Sequence, residues 1–208
     1  MILIENVDVY GWKTAFRGMR NPMNSWDKSD SSFEFGIIGE NDLQLAKSLA
    51  AAGTDHAKFM RMITVTMDIT APLYWWKEFD TYKVGTVKNS CSTMHKIHDK
   101  PITLEDFSIE HLYCWGDDEK PFQIMMDLCD CINEYRERYL ASGDKDDWWQ
   151  MIQLLPSSYN QKATVQVNYA VLRNMYHSRK HHKLDEWVQF CKELEELPCP
   201  ELITDTLT

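Results

Sequence analysis

The chain has 208 residues, 44% hydrophobic and 26% charged, an ordinary globular composition sufficient for one substantial domain. A net charge of −10 argues against a general nucleic-acid coat, whose phosphates need a basic surface, but not against a single nucleotide held by a few local cations. No apolar run approaches the roughly 18 residues of a membrane span, and MILIENVDVY lacks the basic segment of a signal peptide, so a cytoplasmic protein without a membrane partner is expected.

Residues 2–10 alternate enough to predict a strand. Residues 11–40 are rich in turn formers, carry Arg17 and Arg20, and read as a long ordered loop. Asn41-x-x-Gln44 resembles a capping box and Gly53 a stop, which predicts a helix over 42–52. Residues 59–69 are rich in β-branched residues and predict a strand. Ala71-Pro72 places a Pro in the first turn of a helix running to about Lys83, where Gly85 weakens continuation. Residues 86–97 are polar and poorly periodic and read as a loop. Thr103-x-x-Asp106 caps a short helix. A long amphipathic helix over 119–142 has the stripe Phe122, Met125, Met126, Cys129, Ile132 and Tyr135, with Gly143 as its stop. Asp144 starts a helix to about Leu154. Further helices are expected over 160–182 and 184–197, followed by a frayed tail after Pro198. Mostly helices with two or three strands make an α+β domain.

Local motifs carry little chemistry. Cys91, Cys114, Cys129, Cys131, Cys191 and Cys199 match no zinc spacing and read as reduced structural thiols, so no metal is assigned. Cys91 has His95 and Lys88 nearby in sequence, which a reactive thiolate would need, but a small buried thiol is the simpler reading. His177, His181 and His182 suit a solvated basic helix end. Asp117, Asp118 and Glu119 read as an acidic helix start, and the pairs Trp75-Trp76 and Trp148-Trp149 as core and interface anchors. On a continuous helix, Asn168 and Arg179 would share one side, about 16 Å apart at 1.5 Å per residue, which suits either an elongated polar ligand or plain surface residues.

Three blocks carry more weight. LQLAKSLAAAG (43–53), APLYWWKEFDTYKVGTVKNSCSTMHKI (71–97), and the segment 155–179 with Leu155-Pro156, Asn168, Asn174 and Arg179 resemble, in order and spacing, the flavin-dependent thymidylate synthase family, ThyX. They cover roughly a third of the chain. The family signature RHRxxSxNxxSxRY has diverged. Its Arg-His-Arg falls on Thr81-Tyr82-Lys83, its first Ser on Thr86, its Asn on Lys88, its second Ser on Cys91 and its Arg-Tyr on Thr93-Met94. A family His falls on Thr54, with His56 two residues on, and a family Arg before the Leu-Pro falls near Ile152.

The resemblance implies a single ThyX-like domain over 1–208, with a small sheet packed by long helices. It implies FAD at a subunit interface of a homotetramer, and methylation of dUMP or a related pyrimidine nucleotide with methylene-tetrahydrofolate and NADPH. By position, Asn168, Asn174, Tyr82 and Lys83 would contact the cofactor, and Arg179, Cys91, Thr86 and Glu78 the nucleotide. No residue is assigned as the catalytic nucleophile. Loss of Arg at Thr93 and Ile152 would remove phosphate contacts worth roughly 1.5–3 kcal/mol each, for which Lys83, Lys88, Arg17 and Arg20 are the candidate substitutes. Two alternatives stay open: a nucleotide- or small-anion-binding protein without this chemistry, and an oligomeric interaction protein anchored by the Trp pairs.

Overall fold

Residues 1–113 and 119–205 are described by the computed structural model, so Cys114, Asp117 and Asp118 lie outside the described residues. Strand β1 (Leu3–Tyr10) forms where alternation predicts it. The expected loop over 11–40 is corrected at its start. Helix α1 (Trp12–Arg20) buries Ala15, Phe16, Met19 and Arg20 along one face. Gly11 makes the turn into it at φ 91, where a Cβ would lie 2.0 Å from the Met62 carbonyl oxygen.

Helix α2 (Glu40–Ala51) is capped from a distance rather than by Asn41. The Asp30 carboxylate accepts the backbone N–H of Asn41 at 2.9 Å and of Asp42 at 3.0 Å. A 3-10 turn over Ala57–Met62 replaces the start of the second expected strand. Strand β2 (Thr64–Pro72) begins later and absorbs Ala71-Pro72, so helix α3 (Leu73–Phe79) starts after the proline. The expected loop at 86–97 is strand β3 (Thr86–Ser90) followed by the short helix α4 (Thr93–Lys96). β3 lies at the edge of the sheet, where polar residues are tolerated on the open side.

The capping box at Thr103 and Asp106 is present, on a 3-10 turn. Helices α5 (Lys120–Ser142) and α6 (Lys145–Leu154) match expectation, with Gly143 at φ 71 ending the first and Asp144 capping the second. The long helix expected over 160–182 is corrected to strand β4 (Asn160–Asn168) running directly into helix α7 (Tyr169–Arg179). The strand signal is the alternation of buried Ala163, Val165 and Val167 with exposed Thr164 and Gln166. Helix α8 (Asp185–Glu195) follows. Helix α9 (Glu201–Thr204) buries Leu202 and Ile203, so the chain end expected to fray is packed as far as it is described.

The four strands form one antiparallel sheet in the order β1-β2-β4-β3, and the architecture is α+β. Backbone bonds from Tyr169 N–H to the Ile63 carbonyl and from Leu73 N–H to the Tyr159 carbonyl, both 3.0 Å, fix the β2–β4 register. Val65 therefore faces Val167, and Met67 faces Val165, on the buried side. On the other side Thr164 Oγ1 donates to Asp68 Oδ1 at 2.6 Å, and Asn6 Nδ2 donates to Asp68 Oδ2 at 2.9 Å.

The chain divides into two compact units, and β2 and β4 contribute residues to both. One comprises Met1–Leu3, Thr70–Phe79 and Ser90–Ala163. Ile97, Ile102, Phe107, Met125, Cys129, Ile132 and Met151 form its core beneath α5 and α6. Trp75 and Trp76 are also buried there, with ring centroids 5.0 Å apart, which makes this pair a core feature. The second unit comprises Ile4–Ile69, Asp80–Asn89 and Thr164–Thr208, within which α1, α2, α7, α8 and α9 are described. Its core includes Phe16, Phe59, Met60, Val65, Val167, Tyr169, Leu172, Trp187 and Phe190.

Candidate functional site

The second unit holds a cavity of about 860 Å³. One wall is a face of α7: Ala170, Val171, Arg173, Asn174 and His177. These positions recur at helical spacing, so one helix presents them together. The C-terminal end of α2 adds Ala50 and the turn after it Thr54, the 3-10 turn adds Ala57, Met60 and Arg61, and the loop before β3 adds Val84 and Gly85.

Asn168 completes the lining at the junction of β4 and α7. It is the N-cap of α7, and its Oδ1 accepts the Val171 N–H at 3.1 Å. Asn168 therefore does not share a helical side with Arg179, as a continuous helix would require. Its Nδ2 lies against Gly85, where a Cβ would come within 2.6 Å of that nitrogen. Gly85 also has φ 80, so the position favours glycine twice over. A smaller cavity of about 250 Å³, lined by Arg61, Gly85, Thr86, Gln166 and Asn168 among others, adjoins the same residues. Thr86 Oγ1 is buried there without a hydrogen-bond partner among the described residues.

The other residues singled out by sequence separate into groups. Asn174 is exposed on the cavity face of α7, and its side chain accepts a long 3.5 Å contact from Ser178 Oγ. Tyr82 and Arg179 meet away from the cavity lining. Arg179 Nε donates to Tyr82 Oη at 3.0 Å, Nη1 lies 3.0 Å from His182 Nε2, and the guanidinium stacks 4.9 Å from the Trp187 ring centroid. This arrangement fixes the guanidinium by hydrogen bond and cation–π contact. Lys83 is exposed. Glu78 and Cys91 belong to the first unit, Glu78 half-buried on α3 and Cys91 exposed. The simpler expectation of a buried thiol at Cys91 is thus corrected. Its N–H donates to the Lys162 carbonyl at 2.9 Å, and its own carbonyl accepts from Gln161 Nε2 at 3.0 Å.

Two candidate substitutes for lost phosphate-binding arginines are committed elsewhere. Arg20 is 5% exposed, and its Nε donates at 2.6 Å to Asp42, which is fully buried. Lys88 Nζ pairs with Asp80 at 2.5 Å. Arg17 is exposed.

The expected solvated histidine end holds at His181, which is exposed, and is corrected at His177 and His182. His177 stands in the cavity wall with its Nε2 buried and without a hydrogen-bond partner among the described residues. Burial first, then the charges of Arg173 and Lys180, push its pKa below the usual histidine value. His182 Nδ1 accepts the Leu184 N–H at 3.2 Å, and its ring packs against Trp187. Sequence reasoning missed Arg61, Arg173 and His177 as cavity residues. Once α7 is known to start at Tyr169, the common face of 170, 173, 174 and 177 is visible from spacing, whereas nothing local marks Arg61.

No protein-family profile matches the chain, and no curated protein matches it. Solved structures do. The chain is similar to the flavin-dependent thymidylate synthase ThyX of Helicobacter pylori complexed with FAD and dUMP, at 16% identity and a TM-score of 0.68, over 100% of this chain and 99% of that one. A second structure of ThyX from that organism with FAD and dUMP gives 16% identity and a TM-score of 0.70, over 100% and 98%. The UMP/dUMP methylase PolB of Streptomyces cacaoi, bound with 5-Br dUMP, gives 15% identity and a TM-score of 0.66, over 94% and 89%. The chain therefore has the α+β fold of the flavin-dependent thymidylate synthases, with α7 and the cavity beside it as its candidate ligand site.

Proposed function

We propose that this chain binds FAD and a uridine-type nucleotide, and that it methylates dUMP or a related pyrimidine nucleotide using methylene-tetrahydrofolate and NADPH. The observation that carries the reading is the Asn168–Gly85 contact at the mouth of α7, together with the polar face of that helix on a cavity of about 860 Å³. That volume lies within the range of about 300–1,000 Å³ usual for small-molecule sites. The residues suit a planar, hydrogen-bonding ligand. Gly85 offers a wall without a Cβ, Asn168 Nδ2 and the Asn174 amide offer hydrogen bonds, and Val84, Val171 and Met60 offer apolar surface. FAD would supply hydride chemistry, while the chain's residues bind, orient and exclude water. By the same family resemblance the protein is a cytoplasmic homotetramer in which Tyr82, Lys83, Thr86, Cys91, Glu78 and Arg179 also serve the ligands.

The purified full-length protein tests this directly. The reading expects a flavin absorbance spectrum, or uptake of added FAD, and conversion of dUMP or UMP to its 5-methyl product with the two co-substrates. A colourless protein that takes up no FAD refutes it. A second reading, nucleotide binding without methylation, is favoured by the divergence of the signature at Thr81, Tyr82, Lys88, Thr93 and Met94. Tight FAD or dUMP binding with no product in the presence of both co-substrates would select it.

A further inference from the structure

Arg173 is an unusual charge. It is only 9% exposed, and it lines both the large cavity and a smaller one of about 260 Å³. Its Nη1 donates to the Leu202 carbonyl at 2.6 Å and its Nη2 to the Asp205 carbonyl at 2.8 Å. These are dipoles, not counter-charges. No carboxylate oxygen among the described residues lies within 4 Å of the guanidinium, and its Nε has no hydrogen-bond partner among them. The carboxylate of Asp205 attracts it from farther off and sits 3.7 Å from Lys47 Nζ. Burial of a guanidinium is costly unless an anion completes it, and here burial pulls its pKa below the usual arginine value.

The cavity wall supplies an independent observation. The whole sequence carries 32 acidic against 22 basic residues, yet the described residues lining the large cavity include Arg61, Arg173 and His177 and no Asp or Glu. Arg61 is exposed and has no hydrogen-bond or ion-pair partner among the described residues. With His177 held toward its neutral form, Arg61 and Arg173 are the charged groups among the described residues of that wall, and in an acidic protein they concentrate positive potential there.

We propose that Arg173, assisted by Arg61, is an anion-binding site that takes a phosphate or diphosphate group of the ligand in this cavity. The idea rests on the functional reading above only for what the rest of the ligand is. It supplies the cations that the diverged signature positions lack. A guanidinium held by two carbonyls is already oriented, so little freedom is lost when a phosphate oxygen reaches its Nε. The anion can be the monophosphate of a dUMP-type nucleotide or the diphosphate of FAD, and paired ligands separate the two.

The test measures binding by calorimetry to the full chain as wild type, Arg61→Gln, Arg173→Lys and Arg173→Met. The ligand pairs are dUMP with deoxyuridine and FAD with riboflavin, alongside inorganic pyrophosphate. Wild type is expected to prefer the phosphate-bearing member of at least one pair, and that pair identifies which phosphate is held. Each lost guanidinium contact should lower that member's affinity about 10- to 100-fold while leaving its phosphate-free partner unchanged. Arg61 is exposed, and Arg173→Lys keeps a cation for the two carbonyls, so these variants carry the test even if Arg173→Met does not fold. An unchanged phosphate preference in Arg61→Gln and Arg173→Lys overturns the site, as does a wild type without any preference. Arginine-dependent dUMP binding in a protein that takes up no flavin and turns nothing over would support the anion site and refute the methylation reading.

Discussion

Asp42→Ala is the most searching single perturbation of the fold. The Asp42 carboxylate is fully buried and accepts from Arg20 Nε, Ser29 Oγ and Ser31 Oγ, each at 2.6 Å, and from the Ser31 N–H at 3.2 Å. It ties α1 and the segment after it to α2. The substitution leaves the guanidinium of Arg20, 5% exposed, with one long bond among the described residues, to the Ser25 carbonyl at 3.3 Å. Stranding one partner of a buried pair costs about 3–5 kcal/mol. At roughly 2–4 °C per kcal/mol for a chain of this size, the melting temperature should fall by about 6–20 °C. Urea denaturation followed by tryptophan fluorescence gives the free energy, and a thermal scan gives Tm. The double variant Asp42→Leu with Arg20→Met should recover much of the loss, because the stranded charge is then gone. A loss under about 1 kcal/mol for Asp42→Ala, or a double variant no better than the single one, would refute the argument. The pH dependence has a definite sign. Burial raises the Asp42 pKa, but hydrogen bonds from Ser29, Ser31 and Arg20 outweigh it and hold the pKa below the usual value. The contribution is therefore fully present above the unfolded value of about 3.9 and is lost as pH falls through the lowered one, so Asp42→Ala should abolish that acid-dependent part.

Asn168→Ala should cost about 1 kcal/mol through loss of the α7 cap and also weaken ligand binding, whereas Asn168→Ser should keep a capping oxygen without adding charge and lose the amide donor; denaturation and calorimetry together separate the two effects. Gly85→Ala should destabilise by roughly 1–2 kcal/mol, since φ 80 and the 2.6 Å approach to Asn168 Nδ2 both oppose a Cβ, and an unchanged Tm would count against that geometry. The depressed His177 pKa means the unfolded chain takes up a proton first, so stability should begin to fall as pH drops below about 6.5 and continue through the lowered folded value; His177→Gln should flatten that segment of the profile, and an unaltered profile would exclude His177 as its source.

Helices with an uninterrupted stripe and orthodox stops were legible in the sequence: α5 ends at Gly143, and α6 starts at its Asp144 cap. Segments where two patterns abut were not. In QKATVQVNYAVLRNMYHSR the period changes from two to 3.6 at Asn168 with no glycine or proline to mark it, so β4 reads as more helix. The cap on α2 comes from Asp30, ten residues before the start of the helix at Glu40, which a local motif search passes over. The candidate site was visible only in part. Asn168 and Asn174 were found by family spacing and do line the cavity. Arg173 and His177 carry no motif, and their significance comes from what fails to pair with them after folding.

The direct passage from β4 into α7 has a consequence for how the site tolerates change. With no loop between them, the strand's register against β2 sets the rotational phase of the helix. Inserting or deleting one residue in β4 would turn α7 by about 100° and carry Asn174 and His177 out of the cavity wall. The sheet here acts as an index pin for the binding face. Variation in this site is therefore confined to exchanging side chains on a fixed dial, not to altering the length of the segment that carries them.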